Sequence, residues 1–393
     1  MARFGDGLAV GPDLVYAAES AVRQAMAPLH GRRPDLVCVF ICGEDLDTVE
    51  VAGLVAMDVA GARTTLGCGA GGVIGGSRGI EGTSGVSAFA AVLPDVQLKP
   101  FHLESRRTDR SVVVTGMPEL RADDAVAVLL ADPYTFPVDA FVERSNEVMR
   151  GLPLIGGIAT GSLGEGEARL FVDGRTVNHG AVGVVLGGSV AARPVVSQGC
   201  RPVGPSMVVT KSEANILLEL AGAPAVTKLE EIVAALPETD RELFATGPQV
   251  GIAMNEYAEE HERGDFLIRG VVGVDHEREG VAVGDVVEVG RTVRFQVRDA
   301  AAADDDLRGL LAACRDDKEF GPVEGALLFS CNGRGAALFP SPDHDVLAVR
   351  RVLGIEGVGG FFAGGEIGPV AGRNHVHGFT ASILAFGPQE RAQ

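Results

Sequence analysis

The 393-residue chain has no tryptophan, only three tyrosines, no CxxC pair and no run of lysine or arginine. Acidic residues outnumber basic ones by 53 to 34, for a formal net charge of −19. A binder of duplex nucleic acid needs a basic surface to displace counterions from phosphates, so nucleic acid is excluded as an expected partner. An anionic membrane surface is disfavoured for the same reason. No apolar run reaches the roughly 18–20 residues that cross a bilayer. The opening MARFGDGLAVGPDL carries no basic stretch followed by an apolar block, so no signal peptide is expected. Six cysteines lie scattered at 38, 42, 68, 200, 314 and 331, without zinc spacing. Most sit in apolar runs, where a thiol acts as a small hydrophobe. Sparse, unpaired cysteine in a long chain suits a reducing compartment. Together these absences set the expectation of a cytoplasmic protein with no membrane and no nucleic-acid partner.

What is present is apolar and rich in glycine. Hydrophobic residues make up 46% of the chain and charged residues 22%, values that support a sizeable core and exclude disorder. The 54 glycines beside apolar β-branched runs predict many tight connections between strands. The length fits two domains or a fused pair.

Element order repeats along the chain. Leu14, Val15, Ala18, Val22, Met26 and Leu29 recur at helical spacing. Asp35 to Ile41 reads as a buried strand, 45–60 as a helix, and Thr64 to Gly67 as a strand entering the loop GCGAGGVIGG. VSAFAAVL follows as a further strand. Near the end, Ala326 to Phe329, HDVLAVRRVLG, GFFAGGEIGPV and FTASILAF give the same order. A further copy lies between them, in VAVLLA, VDAFVERSNEVMRG, LIGGIATG and AVGVVLGG. The glycine loops align as LGCGAGG, LIGGIATG and FFAGGEIG. We read this as internal duplication, which predicts a mixed α/β (α+β) fold. It would consist of two tightly packed α/β halves built from repeated strand–helix–strand–Gly loop–strand units. The boundary between halves is placed near 188–198, giving domains over 30–190 and 191–385. No linker rich in Ser, Pro or charge separates them.

Polar residues concentrate in a few short motifs: SQGCRPVGP around Arg201, FLIRG around Arg269, FQVRDA with Arg298 and Asp299, SCNGRG from Ser330, and GGEIGP with Glu366. In this order they resemble the FIST C-terminal domain. DLVCVFIC, GCGAGGVIGG and LPLIGGIATG resemble the FIST N-terminal domain, of the F-box and intracellular signal transduction proteins. The resemblance covers roughly residues 30–385, and the stand-alone form of the family is expected. It implies a sensory module that binds a small ligand, an amino acid or an organic acid, and answers to a protein signalling partner. The motif residues it carries over as ligand-binding are Arg201, Arg269, Arg298, Asp299, Cys331, Asn332, Arg334 and Glu366. It assigns them no individual roles.

The residues themselves leave alternatives open. The Arg298 guanidinium offers a planar fork of donors that suits a ligand carboxylate, and equally an internal ion pair with a carboxylate such as Glu366. Asp304 to Asp306 are expected to cap the helix AAADDDLRGLLAAC. Cys331 near Arg334 could act as a nucleophile if His375 or His377, read as loop residues, supplied a base. The alternative is a cysteine packed at a strand end. Asn332 to Gly335 could form an anion nest or a tight turn. Gly67, Gly69 and Gly72 nearly match GxGxxG, but Val73-Ile74-Gly75-Gly76 is a poor helix start, so no nucleotide site is read there. HExxH and GxxxxGK[ST] are absent. His375-Val376-His377 lacks a third metal ligand at any recognisable spacing. No metal, cofactor or catalytic residue is therefore assigned. An enzyme using Cys331 or Glu366, and a ligand-free scaffold, stand as alternatives to the sensor. Unpaired edges of a repeated sheet would also allow homo-oligomers.

Overall fold

The computed structural model describes residues 2–108, 111–149, 151–258, 261 and 263–388. The chain is mixed α/β and divides into two compact units. The first takes the chain up to Ser197, then Leu307–Val376 and the residues from Thr380 onward. The second takes Gln198–Asp306 and His377–Phe379.

The first unit contains all three copies of the repeat. In each copy a first strand (Leu36–Cys42, Asp124–Ala131, Gly325–Cys331) leads to a helix (Leu46–Ala60, Val138–Val148, His344–Leu353). The chain then returns as a second strand (Thr64–Gly69, Leu154–Ile158, Val358–Ala363). The second strand runs parallel to the first. A two-stranded hairpin follows, and a closing strand (Gly85–Val92, Ala181–Gly188, Thr380–Phe386) then lies antiparallel on the other side of the first strand.

The hairpins leave their own sheets. The hairpin of the first copy (Gly72–Gly75 and Arg78–Glu81) joins the second strand of the third copy. That of the second (Leu170–Val172 and Arg175–Val177) joins the first copy. That of the third (Glu366–Val370 and Arg373–His377) joins the second copy. The exchange is cyclic, so no copy completes its sheet alone. His375 and His377 thus lie in a strand, because the hairpin carries them into the ladder.

The first strands are continuous apolar runs because both faces are covered. Leu36–Cys42 is buried at all seven positions. One face of each sheet looks into a shared core with Cys38, Phe40, Val128, Phe329, Phe361 and Leu384. There Phe40 stacks on Phe361 at 5.0 Å, and Phe329 meets Phe361 edge-on at 5.7 Å. The opposite faces are covered by helices: Leu14–Met26 and Leu46–Ala60 on the first sheet, Val138–Val148 on the second, His344–Leu353 on the third. Local chemistry sets the helix ends. The Asp45 side chain accepts from the Thr48 N–H at the start of Leu46–Ala60, and Gly61, at φ +52°, stops it.

The parallel pairs require glycine. A Cβ at Gly67 would lie 2.0 Å from the Val39 carbonyl oxygen, one at Gly156 1.9 Å from that of Leu129, and one at Gly360 1.7 Å from that of Leu328. In each case the two residues are register partners. Gly67 and Gly156 stand inside the aligned motifs LGCGAGG and LIGGIATG, and Gly360 directly precedes FFAGGEIG. The loops also meet one another. The Ile158 N–H donates to the Gly365 carbonyl (2.8 Å), the Gly364 N–H to that of Ile158 (3.0 Å), and the Gly71 N–H to Thr160 Oγ1 (2.8 Å).

In the second unit six antiparallel strands close a ring: Met207–Glu213, Ile216–Leu220, Gly280–Val283, Phe266–Asp275, Gln249–Ala253 and Thr292–Arg298. Val209, Leu217, Val250, Val281, Phe295 and Val297 fill it, joined by Ile232 and Phe244 from the helices Ala225–Ala235 and Glu238–Ala245. The cap expected from Asp304 to Asp306 is supplied instead by Asp299, whose Oδ1 accepts from the Ala302 N–H at 3.0 Å. The three aspartates lie inside the helix Ala300–Asp316, and Asp306 accepts from the Gln198 N–H at 2.9 Å.

Candidate functional site

In the third copy the first strand ends at Cys331, and the chain turns sharply. The Asn332 N–H donates to the Ala363 carbonyl (2.9 Å), and the Arg334 N–H to the Cys331 carbonyl (2.8 Å). The turn leaves Asn332 exposed and sends Arg334 inward, where it is 0% exposed and among the largest fully buried side chains. Its guanidinium grips Asp345 with two bonds, Nε to Oδ2 at 2.7 Å and Nη2 to Oδ1 at 2.9 Å. Asp345 stands in the first turn of the helix His344–Leu353. Ser330 Oγ donates to its Oδ2 (2.7 Å), and His344 Nδ1 lies 2.9 Å from its Oδ1. Burial alone would push the Asp345 carboxyl up. The Arg334 charge and the bonds from His344, Arg334 and Ser330 outweigh that and hold it well below the usual carboxylate range. Phe339 covers the guanidinium at 5.4 Å, with the His344 ring stacked on Phe339 at 3.5 Å.

Glu366 opens the third hairpin and is also fully buried. Its Oε2 accepts from the Thr380 N–H (3.0 Å) and the Thr380 hydroxyl (2.8 Å). Burial pushes its carboxyl up to about 8, against the Thr380 bonds, the Cys331 thiol and the Arg334 charge. Burial thus favours the protonated form of Glu366, which can donate a hydrogen bond. Two polar atoms in this cluster have no hydrogen-bond partner: Arg334 Nη1 and Glu366 Oε1. Cys331 is 5% exposed and accepts from the Gly333 N–H at 3.4 Å.

The structure thus gathers four sequence-singled residues, Cys331, Asn332, Arg334 and Glu366, around one strand end of the first unit. The other four lie in the second unit. Arg201 bridges Asp240 (2.8 Å) and Asp299 (2.9 Å). Arg269 pairs with Asp285 at 2.7 Å, and the Arg298 guanidinium lies 4.8 Å over the Phe379 ring. The charges of Arg201, Asp299 and Arg269 are matched inside the unit. Asp345, Ser330 and Thr380 were missed. His344-Asp345 read only as a helix start, and nothing local marks it as the partner of Arg334. Gln296 was missed as well. It is fully buried, faces Gln249 across the ladder, and neither of its amide atoms has a partner.

Comparison with known proteins agrees with the motif order. The sequence model of the FIST N domain matches residues 35–223, and that of the FIST C domain matches 225–369. The junction of the two matches falls inside the second compact unit. An uncharacterized protein of Mycobacterium tuberculosis (strain H37Rv) is 40% identical over 387 residues, covering 98% of this chain and 99% of its own. One of Mycobacterium bovis is 38% identical over 386 residues, covering 98% of each. No described helix is long and apolar enough to cross a membrane. Spanning both domains in order, the chain belongs to the FIST family, whose domains are sensory domains of signal transduction.

Proposed function

We propose that this FIST protein is an intracellular small-molecule sensor, and that the buried cluster of Arg334, Glu366 and Cys331 reads a ligand carrying a carboxylate, an amino acid or an organic acid. The observation that supports this is the pair of unpartnered atoms, Arg334 Nη1 and Glu366 Oε1, in a fully enclosed site. Buried polar atoms are nearly always paired, so an N–H and a carboxyl oxygen without protein partners suit recognition of a ligand's carboxylate. A carboxylate can accept from both the guanidinium and the Glu366 hydroxyl. The Asp345 fork already fixes the guanidinium, so little orientation is lost on binding. Exposed Asn332, directly after Cys331, marks the side nearest solvent. A signalling protein would read the resulting change at the strand end.

A second reading is catalysis by Cys331 and Glu366. It is favoured by the influence of the thiol on the Glu366 proton. The enclosure of both groups weighs towards recognition over turnover.

The test is calorimetric titration of the full chain with amino acids and organic acids, on wild type and Glu366→Gln, with folding checked by circular dichroism. Binding of a carboxylate that weakens at least tenfold in the variant supports the site. Equal binding in both proteins removes Glu366 from it. Release of a converted product turns the reading to catalysis.

A further inference from the structure

A second cluster lies at the far end of the second copy's sheet. The strand Val96–Arg107 runs beside the closing strand Ala181–Gly188. Its side chains alternate: Phe101 and Leu103 face the helix side, while His102 and Glu104 share the opposite face. The register pairs Leu103 with Ala181. His179, two residues earlier, therefore arrives at the same end of the strand pair.

One nitrogen from each ring and one Glu104 carboxylate oxygen lie within 4.8 Å of one another. The rings meet edge to face, with centroids 5.0 Å apart. His102 Nε2 is 2.9 Å from the His179 carbonyl oxygen, so it carries the proton and leaves the lone pair on Nδ1. His179 Nδ1 faces Asn178 Oδ1 at 3.1 Å, which leaves the lone pair on Nε2, 3.8 Å from Glu104 Oε1. Carbonyl partners on the non-ligating nitrogens are the usual outer support of metal-bound imidazoles. Gly180, at φ +80°, permits the approach. A Cβ there would lie 2.1 Å from the Leu103 carbonyl oxygen and 3.1 Å from His102 Nε2. The one competitor for the carboxylate among the described ion pairs, apart from His179, is Arg106, at 3.8 Å and well exposed.

We infer that His102, Glu104 and His179 form a site for a divalent transition metal of the zinc class, with three protein ligands and one position left to water. Two imidazoles and a carboxylate suit such ions and do not suit magnesium or calcium, which prefer all-oxygen shells. In a tetrahedral shell with metal–ligand distances of about 2.0–2.2 Å, the donor atoms must close towards one another. His179 and Glu104 can do so because both are partly exposed and free to re-orient. The sequence hides the site, because His179 lies far along the chain from His102 and Glu104.

The test uses the full chain stripped with a chelator and titrated with Zn2+ by calorimetry, and with Co2+ as a visible-absorption probe. One equivalent of Zn2+ is expected, with a Co2+ spectrum of low coordination number. His102→Ala and His179→Ala should each weaken binding at least tenfold, and Glu104→Gln should do so to a similar degree. His276→Ala, which is not a member of the cluster, should bind as wild type. His179 is exposed, so its variant keeps the fold and the test stands even if His102→Ala is unstable. Absence of stoichiometric binding, or binding unchanged in His179→Ala and Glu104→Gln, would overturn the inference.

Discussion

Replacing Glu366 with glutamine should make the protein more stable, and increasingly so as the pH rises. The folded-state carboxyl is pushed by burial from an ordinary 4.5 to about 8. Below pH 4.5 the group is protonated whether the chain is folded or not, and contributes nothing. Between 4.5 and 8 the unfolded chain gives up the proton while the native protein keeps it, so stability falls with rising pH by about 1.4 kcal/mol per unit. Above 8 the loss levels off. Glutamine copies the neutral form and can still accept from Thr380, but it has no proton to lose. Wild type and variant should therefore agree closely at pH 4. At pH 7.5 the variant should be ahead by about 4 kcal/mol. The chain lacks tryptophan, so urea unfolding is best followed by far-ultraviolet circular dichroism. Measuring both proteins at each pH cancels every other titration. Parallel pH profiles would refute the reasoning. They would mean that Glu366 is ionised in the native protein, with its charge balanced by Arg334.

Four further outcomes follow from the geometry. Arg334→Met leaves Asp345 charged and buried without its partner and should cost about 3–5 kcal/mol; adding Asp345→Asn should recover part of the loss, as a double-mutant cycle will show. Gly360→Ala places a methyl group 1.7 Å from the Leu328 carbonyl oxygen, so the variant should fail to accumulate in soluble form. Gly309→Ala, in the interior of the helix Ala300–Asp316 with open space around it, should stabilise by about 1 kcal/mol in urea titrations. Arg201→Ala removes ion pairs that are partly exposed, with the Arg201 side chain 32% accessible; a loss of about 1 kcal/mol or less is expected, shrinking at high salt.

Much of the local structure was legible. The run LVCVFIC, the helix capped by Asp45 and the closing strand VSAFAAVL could be read because each burial pattern is written in consecutive residues. The strands Arg3–Val10 and Val96–Arg107 were not read, because they mix polar and apolar positions and take their conformation from a neighbour. Of the candidate site, the sequence supplied Cys331, Arg334 and Glu366. It could not supply Asp345, which pairs with Arg334 only because the helix after the turn folds back on it.

The sequence by itself determined the family and the repeated order of strand, helix and glycine loop. These properties rest on side-chain volume and spacing over a few residues. Only the tertiary structure decided that the third copy completes one unit with the first two, by cyclic exchange of hairpins, and which of the motif arginines are matched by carboxylates. Both depend on pairings between segments far apart in the chain. For a buried charge, it is the partner brought to it across that distance that decides whether it is a structural tie or a place for a ligand.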